Sequence, residues 1–421
     1  MIETILSQKG PSGEADRQGR FYDWLVVAAC FCLTITIGET FWTFGVFFKP
    51  LQQEFGWSRA LVSSVYTAFL VGYAVSVVAS GRLVDRYNPR PVLLASALLI
   101  VSGLCLCSVA ETLNGLRLFM FIVGLGSGAT WSVPTATVQR WFYGKKQAGL
   151  ALGIVTSGVG VGALVFGPLI NFLIQGHGWR SAFLTLGILF GVVVVAATLV
   201  LNPSPPGTMV IHKYPEARGR LAGAEGPAGS RWYASWGFAA FLFVIIVGVF
   251  TFQTISTHLV PHATDVGISP SAAAAAIGLM GGFSIPGRVL SGLFSARLGW
   301  GRMLSLSYFG MAASMVCLLL LRDVWMLHLF VFTYGLFHGV RISAMIGVLP
   351  EIFGMRSLGE LIGISSAGGQ MISAVAPYAA GALFDATGSY SLAFLSIIFL
   401  LVVAGVVAVL MKRMAARMGR P

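Results

Sequence analysis

The chain has 421 residues, of which 56% are hydrophobic and only 10% charged, with a mean hydropathy of +0.83, whereas a soluble domain carries roughly 25% charged residues. That deficit excludes a soluble enzyme and leaves a polytopic membrane protein. The formal net charge of +12 would suggest nucleic acid in a soluble chain, but here it has to be read from the loops that carry the Lys and Arg residues.

A bilayer core about 30 Å thick needs about 20 apolar residues per helix. Twelve runs of that kind follow one another, over 24–48, 60–80, 91–110, 115–137, 148–174, 181–201, 233–258, 272–295, 303–321, 325–348, 359–383 and 391–411. The first twenty residues are polar and lack the apolar core of a cleavable signal, so the first run is expected to direct membrane insertion. Cys30, Cys32, Cys105, Cys107 and Cys317 all lie in apolar runs without metal-ligand spacing, which indicates small apolar fillers and no metal site.

Assigning alternate loops to opposite sides puts twenty of the 27 Lys and Arg residues in one set and five in the other. Cytoplasmic loops retain the positive residues, so both termini are expected in the cytoplasm of a cell whose inner membrane the chain spans. The remaining two, Arg288 and Arg341, fall inside predicted spans. Between the sixth and seventh runs, Pro203, Pro205, Pro206, Pro215 and Pro227 mark residues 202–230 as a linker. The expected organisation is a cytoplasmic segment 1–23, a six-helix bundle 24–201, the linker 202–230, a second bundle 231–412 and a tail 413–421.

The two bundles match at an offset of 211 residues. Gly56 and Ser58 fall on Gly267 and Ser269, Gly81 and Arg86 on Gly292 and Arg297, and Gly124, Gly128 and Phe142 on Gly335, Gly339 and Phe353. Recurrence at equivalent helix positions predicts a parallel six-plus-six repeat. The expected fold is an all-α membrane protein of twelve transmembrane helices in two pseudo-symmetric six-helix bundles.

Ionisable side chains at membrane depth are the candidate functional residues. A central arginine costs about 2.5 to 3.5 kcal/mol to insert, so such residues face a bundle interior or a wet cavity. There a planar guanidinium can hold a carboxylate through two parallel hydrogen bonds, although a structural ion pair or a clamp on backbone carbonyls is the plain alternative. Tyr334, His338 and Arg341 share one helical face by their i, i+4, i+7 spacing. Gln253 in the seventh run and Trp131 in the fourth add polar and aromatic groups. Glu39 is the one acidic residue near the centre of a run, with Thr36 and Thr43 close to its face, which makes it a candidate proton carrier or a hydrogen-bonded packing carboxyl. The string Gly158-Val-Gly-Val-Gly162 lies within an apolar helix with no preceding strand, so helix packing explains it better than a nucleotide loop.

Several stretches resemble the major facilitator superfamily and, within it, bacterial relatives of the monocarboxylate transporters and the oxalate:formate antiporter. Gly81-Arg-Leu-Val-Asp-Arg-Tyr-Asn-Pro-Arg90 is similar to the superfamily's loop motif, with Asn88 in place of its second glycine. Gly45-Val-Phe-Phe-Lys-Pro-Leu51, Glu54-Phe-Gly-Trp-Ser-Arg59, Gly149-Leu-Ala-Leu-Gly-Ile154 and Pro286-Gly-Arg-Val-Leu-Ser-Gly292 are also similar. The resemblance implies that Arg288 binds a substrate carboxylate, and that Gly81, Asp85 and Arg86, with Arg140, form a cytoplasmic gate. The bland reading is that Arg82, Arg86 and Arg90 only fix topology. No lysine lies between Asp23 and Lys49, and Ser284 stands four residues before Arg288 where mammalian members have an aspartate. Their coupling scheme therefore does not transfer.

The resulting expectation is no enzyme but a secondary active transporter of small organic anions, monocarboxylates of the lactate or pyruvate kind, working by alternating access with possible proton symport. Arg288, Arg341, Tyr334, His338, Trp131 and Gln253 would bind substrate and Glu39 would couple protons. The expected partners are the anion, protons and the lipid bilayer, with no nucleic acid, no cofactor and a monomeric unit. Proton-linked efflux of lipophilic compounds and a non-transporting membrane sensor are the rival readings.

Overall fold

A computed structural model describes residues 13–86, 88–142, 147–201, 236–353 and 358–418. The described residues form thirteen helices and no strand. The first half holds α1 (Gly13–Phe55), α2 (Arg59–Arg86), α3 (Pro89–Ser108), α4 (Leu113–Ser127), α5 (Ala129–Trp141) and α6 (Ala148–Val200). The second holds α7 (Trp236–Asp265), α8 (Pro270–Leu298), α9 (Trp300–Leu319), α10 (Val324–Phe353), α11 (Leu358–Ser373), α12 (Ala376–Thr387) and α13 (Ser391–Met418).

Ten stretches are long and apolar enough to cross a membrane, and one of them, Gly149–Val200, has 52 residues. At about 1.5 Å per residue a straight helix of that length would be more than twice as long as the bilayer core is thick. It turns back at Gly178, whose φ of 79° and ψ of 166° break the helical path in a region that a residue without Cβ enters at little cost. This stretch is therefore two passes. With α11 and α12 together forming one more, the chain makes the twelve passes of a major facilitator fold.

Element boundaries depart from the sequence expectation in three places. The first helix begins at Gly13, ahead of the apolar run. The fourth pass is α4 and α5 joined at Gly128, and the eleventh is split between Ser373 and Ala376. Hydropathy reports membrane depth and is blind to such joints. The linker expected at 202–230 lies outside the described residues.

The repeat is visible in the backbone. Ser58 and Ser269, one offset apart, accept hydrogen bonds from the amides of Leu61 and Ala272 at 3.4 and 3.3 Å, the same start to α2 and α8. Each is preceded by a glycine of positive φ, Gly56 at 65° and Gly267 at 90°. A Cβ on Gly124 would stand 2.2 Å from the Phe69 carbonyl oxygen, and one on Gly335 2.5 Å from that of Met280. All four positions are related by the 211 offset, so α4 crosses α2 as α10 crosses α8. Glycine is needed at both crossings because the backbones touch there.

Within the first half, α1 and α6 meet just as closely. Gly38 faces the Val159 carbonyl, Gly158 the Thr34 hydroxyl and Gly162 the Ile35 carbonyl, each leaving 2.2 to 2.3 Å for a Cβ. The glycine string of α6 is thus a packing surface. The halves join along α6 and α8, where a Cβ on Gly160 would lie 2.8 Å from the Gly281 oxygen, and along α1 and α7, where Gly45 is 2.7 Å from the Ser256 oxygen on the same measure.

Candidate functional site

Between the halves lies a cavity of about 220 Å³. Its wall from the first half is Phe41 and Trp42 of α1, Tyr73 of α2, Trp131 of α5 and Val159 of α6. From the second half come Arg288 of α8, His338 and Arg341 of α10, and Ser366 and Gln370 of α11, set among Ile245, Val249 and Phe252 of α7 and Ile342 and Met345 of α10. Among the described residues no carboxylate lines it.

Arg288 and Arg341 come from helices that the repeat makes equivalent to α2 and α4–α5, where Val77 and Thr130 occupy the matching positions. The cationic character is therefore confined to one half. Arg288 donates from Nη1 to the Thr156 carbonyl of α6 at 2.8 Å, a bond that crosses between the halves. Its Nε has no partner, and neither have Nε and Nη1 of Arg341, Nδ1 of His338, Nε2 of Gln370 or the hydroxyl of Tyr334. Buried polar groups are normally satisfied, because each unmade hydrogen bond leaves a desolvation cost of about 1 to 3 kcal/mol. The open arginine and amide donors on this cavity wall define a binding site for hydrogen-bond acceptors.

The Arg341 guanidinium owes its position to a missing side chain. A Cβ on Gly248 of α7 would lie 2.6 Å from both Arg341 Nη1 and the Tyr308 hydroxyl. Tyr308 is fixed in turn by donating to the Val244 carbonyl. Rings stiffen the rest of the wall. His338 stacks on Phe252 at 4.8 Å and on Tyr334 at 5.9 Å between centroids, and Trp42 meets Phe252 edge-on at 4.7 Å.

Of the residues singled out from sequence, Arg288, Arg341, His338 and Trp131 are thus brought to one cavity. Tyr334 is buried behind His338, and Gln253 is buried off the cavity wall, accepting from the Tyr66 hydroxyl at 3.0 Å while its Nε2 is open. Glu39 is not on the cavity wall. It is 4% exposed and accepts from Thr40 and Thr43 at 2.8 and 3.0 Å, while Thr36 bonds to the Leu33 carbonyl instead. Gly81 is partly buried near the end of α2, and Arg140 donates to the Val84 carbonyl at 3.2 Å. The side chains of Asp85 and Arg86 lie outside the described residues.

Sequence reasoning missed Phe41, Trp42, Tyr73, Phe252 and Gln370, since aromatic residues make up 12% of the chain and nothing local marks the ones that line a cavity. It also missed a second constellation at the end of the bundles that carries Lys49 and Arg59. Arg59 Nη2 pairs with Asp265 at 2.6 Å, and Nη1 donates to the Tyr390 hydroxyl at 2.7 Å. Its guanidinium lies 3.6 Å from the centre of the Phe384 ring. Asp385 accepts from the backbone amides of Arg59 and Ala60 at 2.9 and 2.8 Å, and Lys49 pairs with Asp265 at 2.5 Å. His258 joins the cluster through the Tyr390 hydroxyl and the Pro377 carbonyl, both at 2.9 Å. These contacts tie the first half to the second. Among the described residues no group of three or more His, Cys, Asp or Glu side chains could hold a metal ion.

The fold and a site between two repeated bundles define a membrane transporter. The family profile described as Major Facilitator Superfamily matches residues 29–324, and the chain belongs to that superfamily. It is 28% identical over 425 residues to human monocarboxylate transporter 12, covering 93% of this chain and 81% of that one. Over 184 residues it is 27% identical to the oxalate:formate antiporter of Oxalobacter formigenes, covering 44% and 43% of the two chains. In structure it is similar to a bacterial homologue of the human lysosomal transporter Spinster in an inward-facing, unoccupied conformation. That TM-score is 0.71, with 17% identity and coverage of 94% and 98%. Members of this superfamily transport and are not enzymes.

Proposed function

We propose that the protein is a secondary transporter of small organic anions, monocarboxylates foremost, that binds its substrate between the two bundles and exposes it alternately to the two sides of the membrane. The observation that carries this reading is the pair Arg288 and Arg341, whose open guanidinium nitrogens face a cavity without a counter-charge. An incoming carboxylate supplies the missing acceptors and cancels one of two uncompensated positive charges. The monocarboxylate transporter among the relatives supports the same class of substrate. The reading places the protein in the inner membrane of a bacterial cell with both termini and the 202–230 linker in the cytoplasm. The Arg59 cluster then closes the outer end, while Gly81, Asp85, Arg86 and Arg140 belong to the cytoplasmic gate.

Uptake of labelled carboxylates into proteoliposomes tests the assignment. Arg288→Lys keeps the charge but loses the planar fork, so uptake should fall while the purified protein keeps its melting temperature. Wild-type uptake by that variant rejects the role.

Proton coupling, in this reading, falls to Glu39, the carboxyl buried against Thr40 and Thr43 beside the α1–α6 contact. Its two hydroxyl neighbours can serve a charged or a protonated carboxyl, and since Glu39 is not itself on the cavity wall, its effect passes through the packing of α1. Glu39→Gln should lose accumulation driven by a pH gradient and retain exchange of labelled for unlabelled substrate. Undiminished accumulation assigns Glu39 to packing alone.

A further inference from the structure

The cavity walls differ in more than charge. Every side chain contributed by the first half is apolar or aromatic, with four rings among them, whereas every cationic or amide donor comes from the second. We infer that the substrate is an aromatic carboxylate of the benzoate or phenylacetate kind, its carboxylate held by the second half and its ring held by the first. This rests on the reading of the cavity as the substrate site and names the chemistry of what fills it.

Size points the same way. The space measures about 220 Å³. A three-carbon acid bound at the arginines leaves water against the ring-lined wall, which forfeits the burial of apolar surface that drives binding. A carboxylate carrying a six-membered ring brings apolar surface to that wall.

The rings are also arranged to receive another. Phe41 meets Tyr73 edge-on with centroids 4.6 Å apart, and both rings, like Trp131, keep part of their surface open beside the cavity. Aromatic pairs favour offset or edge-to-face contact over a face-to-face sandwich. A guest ring entering this corner can adopt either favoured geometry against Phe41, Tyr73 or Trp131. The donors that would hold its carboxylate stand opposite, on α8 and α10.

The test is equilibrium binding of labelled benzoate and labelled lactate to the purified full-length protein, with unlabelled phenylacetate, pyruvate and cyclohexanecarboxylate as competitors. Benzoate should bind on the order of tenfold or more tighter than lactate, the scale on which an apolar pocket discriminates by size. Trp131→Ala should narrow that ratio by weakening benzoate more than lactate, and Trp131→Phe, which keeps a ring, should largely restore it. Lactate binding as tightly as benzoate overturns the inference and leaves the anion reading intact. Cyclohexanecarboxylate competing as well as benzoate overturns the aromatic part of it. Failure of both labelled acids to bind overturns the anion reading and the inference with it.

Discussion

Arginine plays opposite parts at two places in this molecule. Arg59, with a side chain 8% exposed, is saturated by Asp265, by the Tyr390 hydroxyl and by the face of Phe384. Arg341 is 4% exposed and Arg288 is partly buried, yet between them three guanidinium nitrogens have no partner, and the one bond described for Arg288 goes to a neutral carbonyl. A buried cation that is matched on every side belongs to the architecture, because its attraction to fixed partners offsets its desolvation. An unmatched one in a cavity carries its desolvation cost into the empty state and recovers it when an anion arrives. Burial alone therefore does not identify a functional charge, whereas burial together with open donors does.

Exchanging arginine for lysine should have opposite consequences in the two places. Arg288→Lys removes charge-assisted hydrogen bonding of about 1.5 to 3 kcal/mol per bond, which corresponds to a loss on the order of a hundredfold in substrate affinity for two such bonds partly recovered by the ammonium. Its melting temperature should stay close to wild type. Arg59→Lys should reverse the pattern, lowering the melting temperature and leaving affinity within about twofold. Equal effects of the two substitutions on binding would erase the distinction drawn here.

The next effect concerns the contact that brings the Arg59 cluster together. A Cβ at Gly381 would stand 2.8 Å from the Ala60 amide nitrogen and from the Arg59 carbonyl, so Gly381→Val has to push α12 away from α2. Overpacking of this kind costs about 1 to 3 kcal/mol. The expected outcome is faster modification of a cysteine placed at Ser63 by a membrane-impermeant maleimide, since Ser63 is buried under the same contact, 3.3 Å from His258. Unchanged labelling would show that the close approach yields without opening that end.

Asp385→Ala should have a somewhat smaller effect. It removes two hydrogen bonds to the first amides of α2, a cap supplied from the other half of the molecule and worth about 0.5 to 2 kcal/mol. Hydrogen exchange at the amides of Arg59 and Ala60 should accelerate, while amides near Arg288 keep their protection. Acceleration across both regions would mean that Asp385 supports the whole fold and not this end of α2.

What the sequence made legible follows from the range of the signal. The spans rest on local hydropathy, and the repeat on a single fixed offset, so the passes and the equivalence of α2 with α8 could be read directly. Arg288 and Arg341 stood out because charge is costly at membrane depth. The Arg59 cluster was hidden because its members sit at helix ends, where charges are ordinary, and because Arg59 and Asp385 are 326 residues apart. The ring-lined wall was hidden for the converse reason. Phe41 and Trp42 look like any aromatic residues in an apolar helix until α2 and α5 bring Tyr73 and Trp131 beside them.

A third arginine sets the lower bound of the comparison. Arg180 pairs with Glu54, which also accepts from the Trp179 indole at 2.5 Å, and its guanidinium lies 4.2 Å from the centre of the Trp179 ring. Both members of the pair are 40% exposed, so water screens the attraction and competes for each group. Such pairs contribute about 0 to 1 kcal/mol. Arg180 also donates to the Ala110 carbonyl at 3.2 Å, a bond that glutamine can replace in part. Arg180→Gln should therefore shift the melting temperature by no more than a few degrees and leave both substrate affinity and labelling at Ser63 unchanged. If it lowered affinity as Arg288→Lys does, partnership would not be what separates a structural arginine from a binding one. A small change confined to stability keeps the ordering intact, with open nitrogens in the cavity governing binding, saturated ones at the Arg59 end holding the halves together, and solvent-screened ones doing little of either.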